Sequence, residues 1–357
     1  MRYYHFMIPL MALGVFEFAP LMDAAWSVAS LLLRSVMLVL AVLSSVHHAE
    51  VVAHRTGEPL GTLILALSVT VIEVALILSF MLSGSAGSMT LARDTLFAAI
   101  MIICNGVVGL CLLLGGWRHR EQVFRVQGVG PALATLLALS TLTLILPTFT
   151  TSSAEGTYTA SQLIFVAMTS LALWCVFTFF QTVRHRDYFL PHEDVENTHI
   201  HAAPPTRAIA GMSLVALLGC LVAVVALAKQ LTPSIESTIK LWGAPHTMVG
   251  IVIALLVLLP ETLAALHAAK ANRLQTSLNL ALGSALASIG LTIPAVAVTA
   301  VVLDLPLTLG LESKDLVLMV LTFMVGGMTL AHGRTSMMQG AVHVVIFASF
   351  LFLALVP

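Results

Sequence analysis

Apolar runs of about 20 residues follow one another along nearly the whole chain, each long enough to cross a hydrocarbon core roughly 30 Å thick. Backbone amides meet no water there, so segments crossing such a core must be helices or a closed barrel. The runs are continuous in Leu, Val, Ile and Ala, as in LILALSVTVIEVALIL, without the alternation of a lipid-facing barrel strand. They predict helices. Composition points the same way. Only 9% of the 357 residues are charged and 59% are hydrophobic, against about 25% charged in a soluble domain. Too little charge remains for a water-facing surface.

Charged and Pro/Gly-rich breaks divide the runs into eleven expected spans, near residues 6–22, 27–46, 60–82, 95–115, 129–150, 161–182, 208–228, 245–266, 276–303, 316–331 and 338–356. The expected fold class is an all-α polytopic membrane protein. Alternate loops differ in positive charge. The N-terminus and even-numbered loops hold Arg2, Arg55, Arg118, Arg120, Arg125, Arg184, Arg186, Arg207, Lys270, Arg273 and Arg334. The odd loops hold Arg93, Lys229, Lys240 and Lys314, while Arg34 lies within a span. Positive charge stays on the cytoplasmic side, which predicts a cytoplasmic N-terminus and an external C-terminus. No cleavable signal peptide is evident, because the first apolar run lacks a small-residue cleavage site.

Two spans share an unusual feature. GTLILALSVTVIEVALI (Gly61–Ile77) and VGIVIALLVLLPETLAAL (Val249–Leu266) each carry a mid-span glutamate, Glu73 and Glu261. Anchored on those glutamates, Ala66 matches Ala254, Leu67 matches Leu255 and Val69 matches Val257. A charged group at mid-membrane costs roughly 2.5–3.5 kcal/mol on insertion scales, so a matched pair calls for a reason. By the loop count the third span runs outward and the eighth inward. Opposite topology is the mark of inverted-repeat transporters with a midplane site. The expected organisation is an extra helix (1–26), a first repeat of five helices (27–183), a cytoplasmic linker (184–207) and a second repeat of five (208–357).

A carboxyl group out of water favours its neutral form, whereas a bound cation favours the ionised one. Protons and cation therefore compete for the same oxygens, and that competition is enough to couple their movements. Hard cations take several oxygens, up to 6–8 for Ca²⁺, so two carboxylates need help. Ser68 and Thr70 beside Glu73, Asn105 in span four, and Ser284 and Ser288 four apart in span nine are candidate ligands. Carbonyls freed near Pro260 are further candidates, since proline removes a helix donor and broken helices supply such oxygens in transporters.

The same residues carry a family resemblance. HHAEVVAHRTGEPLGTLILALSVTVIEVALI (His47–Ile77), ARDTLFAAIMI (Ala92–Ile102), LLVLLPETLAAL (Leu255–Leu266), NLALGSALASIGLTIP (Asn279–Pro294) and GRTSMMQGAVH (Gly333–His343) resemble the bacterial ChaA-type antiporters, a branch of the Ca²⁺/cation antiporter superfamily. The resemblance implies a 5+5 inverted repeat after one extra helix. It implies exchange of Ca²⁺, Na⁺ or K⁺ for H⁺ in a bacterial cytoplasmic membrane, with homo-oligomers, trimers in some relatives, among the expected assemblies. The superfamily repeat motif ends in Gly-Asn-Ala-x-Glu. Here Glu73 and Glu261 keep the glutamates, but Thr70 and Leu258 replace the Asn, which leaves a monovalent cation open. Asn105 and Ser284 fall where relatives place polar ligands.

Other features carry weaker expectations. His47, His48 and Glu50 lie at the cytoplasmic mouth of span three, either as a funnel for ions or as an interfacial polar cluster. The segment HEDVENTHIH holds His192, Glu193, Asp194, Glu196, His199 and His201. It reads as a solvated linker or as a cation or pH sensor, since histidine titrates near neutral pH. His343 and Glu17 are intramembrane ionisables, for which a functional role is the default. The cysteines, Cys104, Cys111, Cys175 and Cys220, form no CxxC pair and are expected to be small buried hydrophobes. No organic cofactor is expected, and the ions are cargo. No basic block suggests nucleic acid, and no HExxH or GxSxG suggests an enzyme. A passive cation channel is the competing reading, although channels usually build their filter from several subunits.

Overall fold

The computed structural model describes residues 4–57, 60–82, 87–190, 205–241, 243 and 245–356. Its elements run α1 (Tyr4–Thr56), α2 (Leu60–Met81), α3 (Leu91–Met101), a π-helical turn at Ile102–Val107, α4 (Val108–His119), β1 (Glu121–Val123) and α5 (Val126–Ser140). They continue through α6 (Ala160–Phe179), α7 (Arg207–Leu241), α8 (Thr247–Lys270), α9 (Leu274–Val302), α10 (Ser313–Leu330), β2 (Arg334–Ser336) and α11 (Met337–Leu355). Among the described residues nine helical segments are long and apolar enough to span a membrane. Two shorter apolar helices, His5–Phe18 and Ala66–Met81, fall on the first and third expected spans. The chain is an all-α polytopic membrane protein, with one small sheet in which β1 pairs antiparallel to β2.

Packing divides the chain into two compact units. The first comprises 1–88 and 202–249, the second 89–201 and 250–357. Neither coincides with a sequence half, so each unit draws helices from both.

In the first unit α1 packs on α7 and α2, and α2 also packs on α7. A straight helix of 53 residues would be roughly 80 Å long at about 1.5 Å per residue. Yet Ser44 Oγ and His48 Nε2 both bond the His5 carbonyl at 3.1 Å. The helical run therefore doubles back, and its arms, His5–Phe18 and Val28–Thr56, lie side by side. The second arm runs ten residues beyond the expected end at 46. Polar residues such as His47 and His48 mark no break, because a helix tolerates them where they find partners. The helix stops where a breaker stands, at Gly57, whose φ of 71° suits glycine and whose N–H closes on Ala53 O at 3.0 Å. Likewise α7 carries span seven past 228 to Leu241, through Pro233.

In the second unit the stretch Leu91–His119 is the most enclosed of the spans, buried along nearly all of its apolar length. α11 lies along α4, α9 touches α3 and α4 as well as α5 and α6, and α10 reaches α5 and α11. Glycines permit the closest of these approaches. A Cβ on Gly109 would lie 2.8 Å from His343 Cβ, and one on Gly116 2.5 Å from Met337 N. Small residues that let backbones approach are the usual device where lipid offers no hydrophobic drive.

The loops of this unit sort by parity. Val123 pairs with Arg334, Phe124 N–H donates to Gly333 O at 2.9 Å, and Gln122 Nε2 donates to Ala269 O at 3.0 Å. Arg125 donates to Asp187 O. These contacts gather loops four, six, eight and ten, with Arg118, Arg120, Arg125, Arg184, Arg186, Lys270, Arg273 and Arg334. Elsewhere Thr308 N–H donates to Met89 O at 2.9 Å, Gly310 N–H donates to Gly156 O at 2.8 Å, and Arg93 donates to Gly310 O at 3.2 Å. Those contacts gather loops three, five and nine. Arg93 also meets Asp94 at 2.8 Å, with both side chains under a tenth exposed.

Of the four cysteines Cys104, Cys111 and Cys220 are buried, but Cys175 is exposed on α6, contrary to the expectation for all four. An apolar span keeps one face off the protein core, and Cys175 sits on that exposed face.

Candidate functional site

Each unit carries one of the two mid-span glutamates. In the first, α2 is a continuous helix with mixed burial. Leu67 and Val71, four apart, are exposed, while Ser68, Thr70 and Glu73 are buried. Glu73 is 3% exposed, which places its carboxylate wholly inside the protein. Thr70 is three residues earlier, one turn back on the same helix face. Ser68 Oγ donates to Ile64 O at 2.7 Å. That bond spends the hydroxyl proton and leaves the oxygen lone pairs able to face a cation.

In the second unit α8 holds Glu261, which is half-buried. The helix does not break at Pro260 but runs unbroken from Thr247 to Lys270. The expected set of freed carbonyls shrinks accordingly to the one at Leu256, whose i+4 donor is the missing proline N–H. Both ends of α8 are tied within the unit. Gly250 lies so close to α3 that a Cβ there would stand 2.8 Å from the Asp94 carbonyl carbon. At the other end Ala269 O accepts from Gln122, and Lys270 O lies 3.1 Å from His119 Nε2. On α9, Ser288 is 5% exposed and Ser284 half-buried.

Irregular backbone lies elsewhere, at the π-helical turn Ile102–Val107 in span four, which carries Asn105, and at further π-helical turns at Thr141–Ile145 and Phe180–Arg184. π-Turns inside α-helices are common at functional sites. Asn105 is fully buried and its Nδ2 donates to Thr322 Oγ1 at 2.8 Å. Its Oδ1 lies 3.0 Å from His343 Nδ1, and His343 Nε2 lies 3.1 Å from Thr329 Oγ1. Thr322 and Thr329 were invisible as site residues in the sequence. Their only signal is a spacing of seven, two turns, which puts both on one face of α10. His343, the intramembrane ionisable for which a functional role is expected, sits inside this network, 1% exposed.

The histidines of the first unit lie within α1. His5 stacks on His47 with ring centroids 4.0 Å apart, and His48 is fully buried. His48 Nε2 must carry the proton it donates to the His5 carbonyl. Glu50 is exposed, as is Glu17. His192, Glu193, Asp194, Glu196, His199 and His201 lie outside the described residues. Among the described residues no three His, Cys, Asp or Glu side chains converge as a metal cluster. Cation ligation would therefore have to draw on hydroxyls, amides and backbone oxygens beside the glutamates.

Continuous apolar helices, loops segregated by charge and one mid-span glutamate per unit describe a polytopic transporter. The sodium/calcium exchanger protein family matches residues 26–183 and 212–356, and the chain belongs to that family. It is 37% identical over 310 residues to the sodium-potassium/proton antiporter ChaA of Escherichia coli, covering 86% of this chain and 84% of that one. It is 49% identical over 331 residues to y4hA of Sinorhizobium fredii, described as an ionic transporter, covering 93% and 90%. In fold it resembles the Ca²⁺/H⁺ antiporter protein YfkE, at a TM-score of 0.74 and 15% identity over 99% of this chain and all of that one.

Proposed function

We propose that the chain is a secondary active antiporter that exchanges Na⁺, K⁺ or Ca²⁺ for protons, with Glu73 and Glu261 as the groups for which cation and proton compete. The observation that carries this reading is the burial of Glu73, an acid enclosed in a membrane helix of an exchanger-family protein. Such a group is costly to keep in a membrane helix and marks a functional site by default. A proton neutralises it in one half of the cycle and a cation in the other. The carboxylate is never left charged and bare, so the transporter crosses only when loaded. Thr70, Ser68, Ser284, Ser288 and Asn105 add neutral oxygens, which bind cations without binding protons. Similarity to a sodium-potassium/proton antiporter and to a Ca²⁺/H⁺ antiporter fold supports the cation classes named. The ions are the substrates, no chemical reaction is catalysed, and no organic cofactor is required.

We place the protein in a bacterial cytoplasmic membrane. The basic loops gathered in the second unit face the cytoplasm, and the C-terminus faces outward. Everted vesicles bearing a respiration-driven pH gradient test the function. Adding Na⁺, K⁺ or Ca²⁺ dissipates the gradient with the native protein and leaves it intact with Glu73→Gln or Glu261→Gln. Undiminished exchange after both substitutions would remove the glutamates from the mechanism. Cation flux without proton return would make the protein a channel.

A further inference from the structure

The bonds around Asn105 take their direction from Thr322. Thr322 Oγ1 donates to Leu318 O at 2.7 Å, so toward Asn105 it acts as an acceptor. Nδ2 of Asn105 fills that position at 2.8 Å, which turns Oδ1 toward His343. An amide oxygen only accepts, so His343 Nδ1 carries a proton. In the neutral ring Nε2 is then the acceptor, and Thr329 donates to it across 3.1 Å. Four side chains from three elements thus lock one amide orientation and one histidine tautomer. The backbones permit it because Gly109 lets His343 approach, with no room for even a methyl group.

We propose that His343 is a positioning residue for cation binding: as the Nδ1–H tautomer, together with Thr322, it holds the Asn105 amide oxygen-out toward the transported cation. This rests on the reading of Asn105 as a cation ligand. With Nδ2 committed to Thr322, a cation meets Oδ1, which keeps a second lone pair after accepting from His343. A flipped amide would present two N–H donors and repel the cation. The ligand and its clamp are both neutral, so this part of the site contributes cation affinity without proton competition, which stays with the glutamates.

The test exploits side-chain geometry. Asparagine carries its amide on Cγ and so sets a nitrogen donor at the place of histidine Nδ1, whereas glutamine sets one at the place of Nε2. Full-length Asn105→Ala, His343→Asn, His343→Gln and His343→Leu are compared in vesicles for half-saturating cation concentration and maximal rate. The probe is whichever of Na⁺, K⁺ and Ca²⁺ the native protein exchanges fastest. Loss of a hydrogen bond that orients a ligand weakens binding about fivefold. His343→Gln and His343→Leu are expected to raise the half-saturating concentration by about that factor, equally at two pH values roughly a unit apart. His343→Asn is expected to stay within about twofold of native. Equal values for the Asn and Gln variants, or a fall in maximal rate alone, would mean that His343 only packs. If Asn105→Ala raises the half-saturating concentration while the His343 variants do not, the clamp is wrong and the ligand stands. An unaffected Asn105→Ala would overturn both. Should His343→Leu fail to accumulate, the contrast between Asn and Gln still decides.

Discussion

An ionised side chain buried in this chain is tolerated only with a partner, and Arg93 and Asp94 show what that partnership contributes. Neighbours in sequence at the start of α3, they bond each other at 2.8 Å. Thr90 Oγ1 donates to the second Asp94 oxygen at 3.0 Å, and Arg93 reaches on to Gly310 O. Removing one member of a buried pair leaves an uncompensated charge, at a cost of about 3–5 kcal/mol. Arg93→Leu is therefore expected to lower the melting temperature of the purified protein sharply, and Arg93→Leu with Asp94→Asn to recover most of the loss. A single variant as stable as native would show that the pair contributes nothing. The pair was not legible in the sequence, where Arg93 counted only as one odd-loop charge. Glu73 and Glu261 were legible, because an acid in mid-span stands out against its neighbours whatever it touches. Asn105 was legible as polar, but its partners Thr322 and His343 lie more than two hundred residues away, and no spacing rule reaches that far.

Among elements, the seam between α4 and α11 shows how a membrane helix pair is specified. A Cβ on Gly340 would run into the backbone nitrogen of Leu113, beside the close approaches at Gly109 and Gly116. Gly283 and Gly327 have nothing within 4 Å of the same position. The two groups predict opposite outcomes. Gly116→Ala and Gly340→Ala force backbone apart and are expected to cost about 1–3 kcal/mol, the usual range for overpacking. Gly283→Ala and Gly327→Ala are expected to be neutral or to stabilise by up to about 1 kcal/mol, the difference in helix propensity. Thermal unfolding in detergent ranks the four, and a common value for all would dissolve the seam. Helix positions were readable from apolar runs because length and hydropathy decide insertion. Helix ends were not: α1 and α7 continue through polar residues, Pro260 fails to break α8, and a π-helical turn widens span four at Ile102–Val107. Those features follow from tertiary partners rather than from local pattern.

At the scale of the whole molecule, the strongest constraint is that loops alternate. In the second unit β1, β2, Gln122, Asp187 and Ala269 tie the even loops together, and Met89, Gly156, Thr308 and Gly310 tie the odd ones. Covalent connectivity then requires every intervening helix to cross between the two groups. The charge count agrees, since the even group carries Arg118, Arg120, Arg125, Arg184, Arg186, Lys270, Arg273 and Arg334 against Arg93 and Lys314 in the odd group. Sidedness is testable with two exposed positions, His332 in an even loop and Ser152 in an odd one. After Cys175, the exposed native thiol, is replaced by Ser, Ser152→Cys is expected to react with a membrane-impermeant maleimide in intact cells. His332→Cys is expected to react only in everted vesicles. The converse pattern would invert the proposed orientation while keeping the alternation. Labelling of both from one side would contradict the helix count itself, because an even number of crossings would then separate residues 152 and 332.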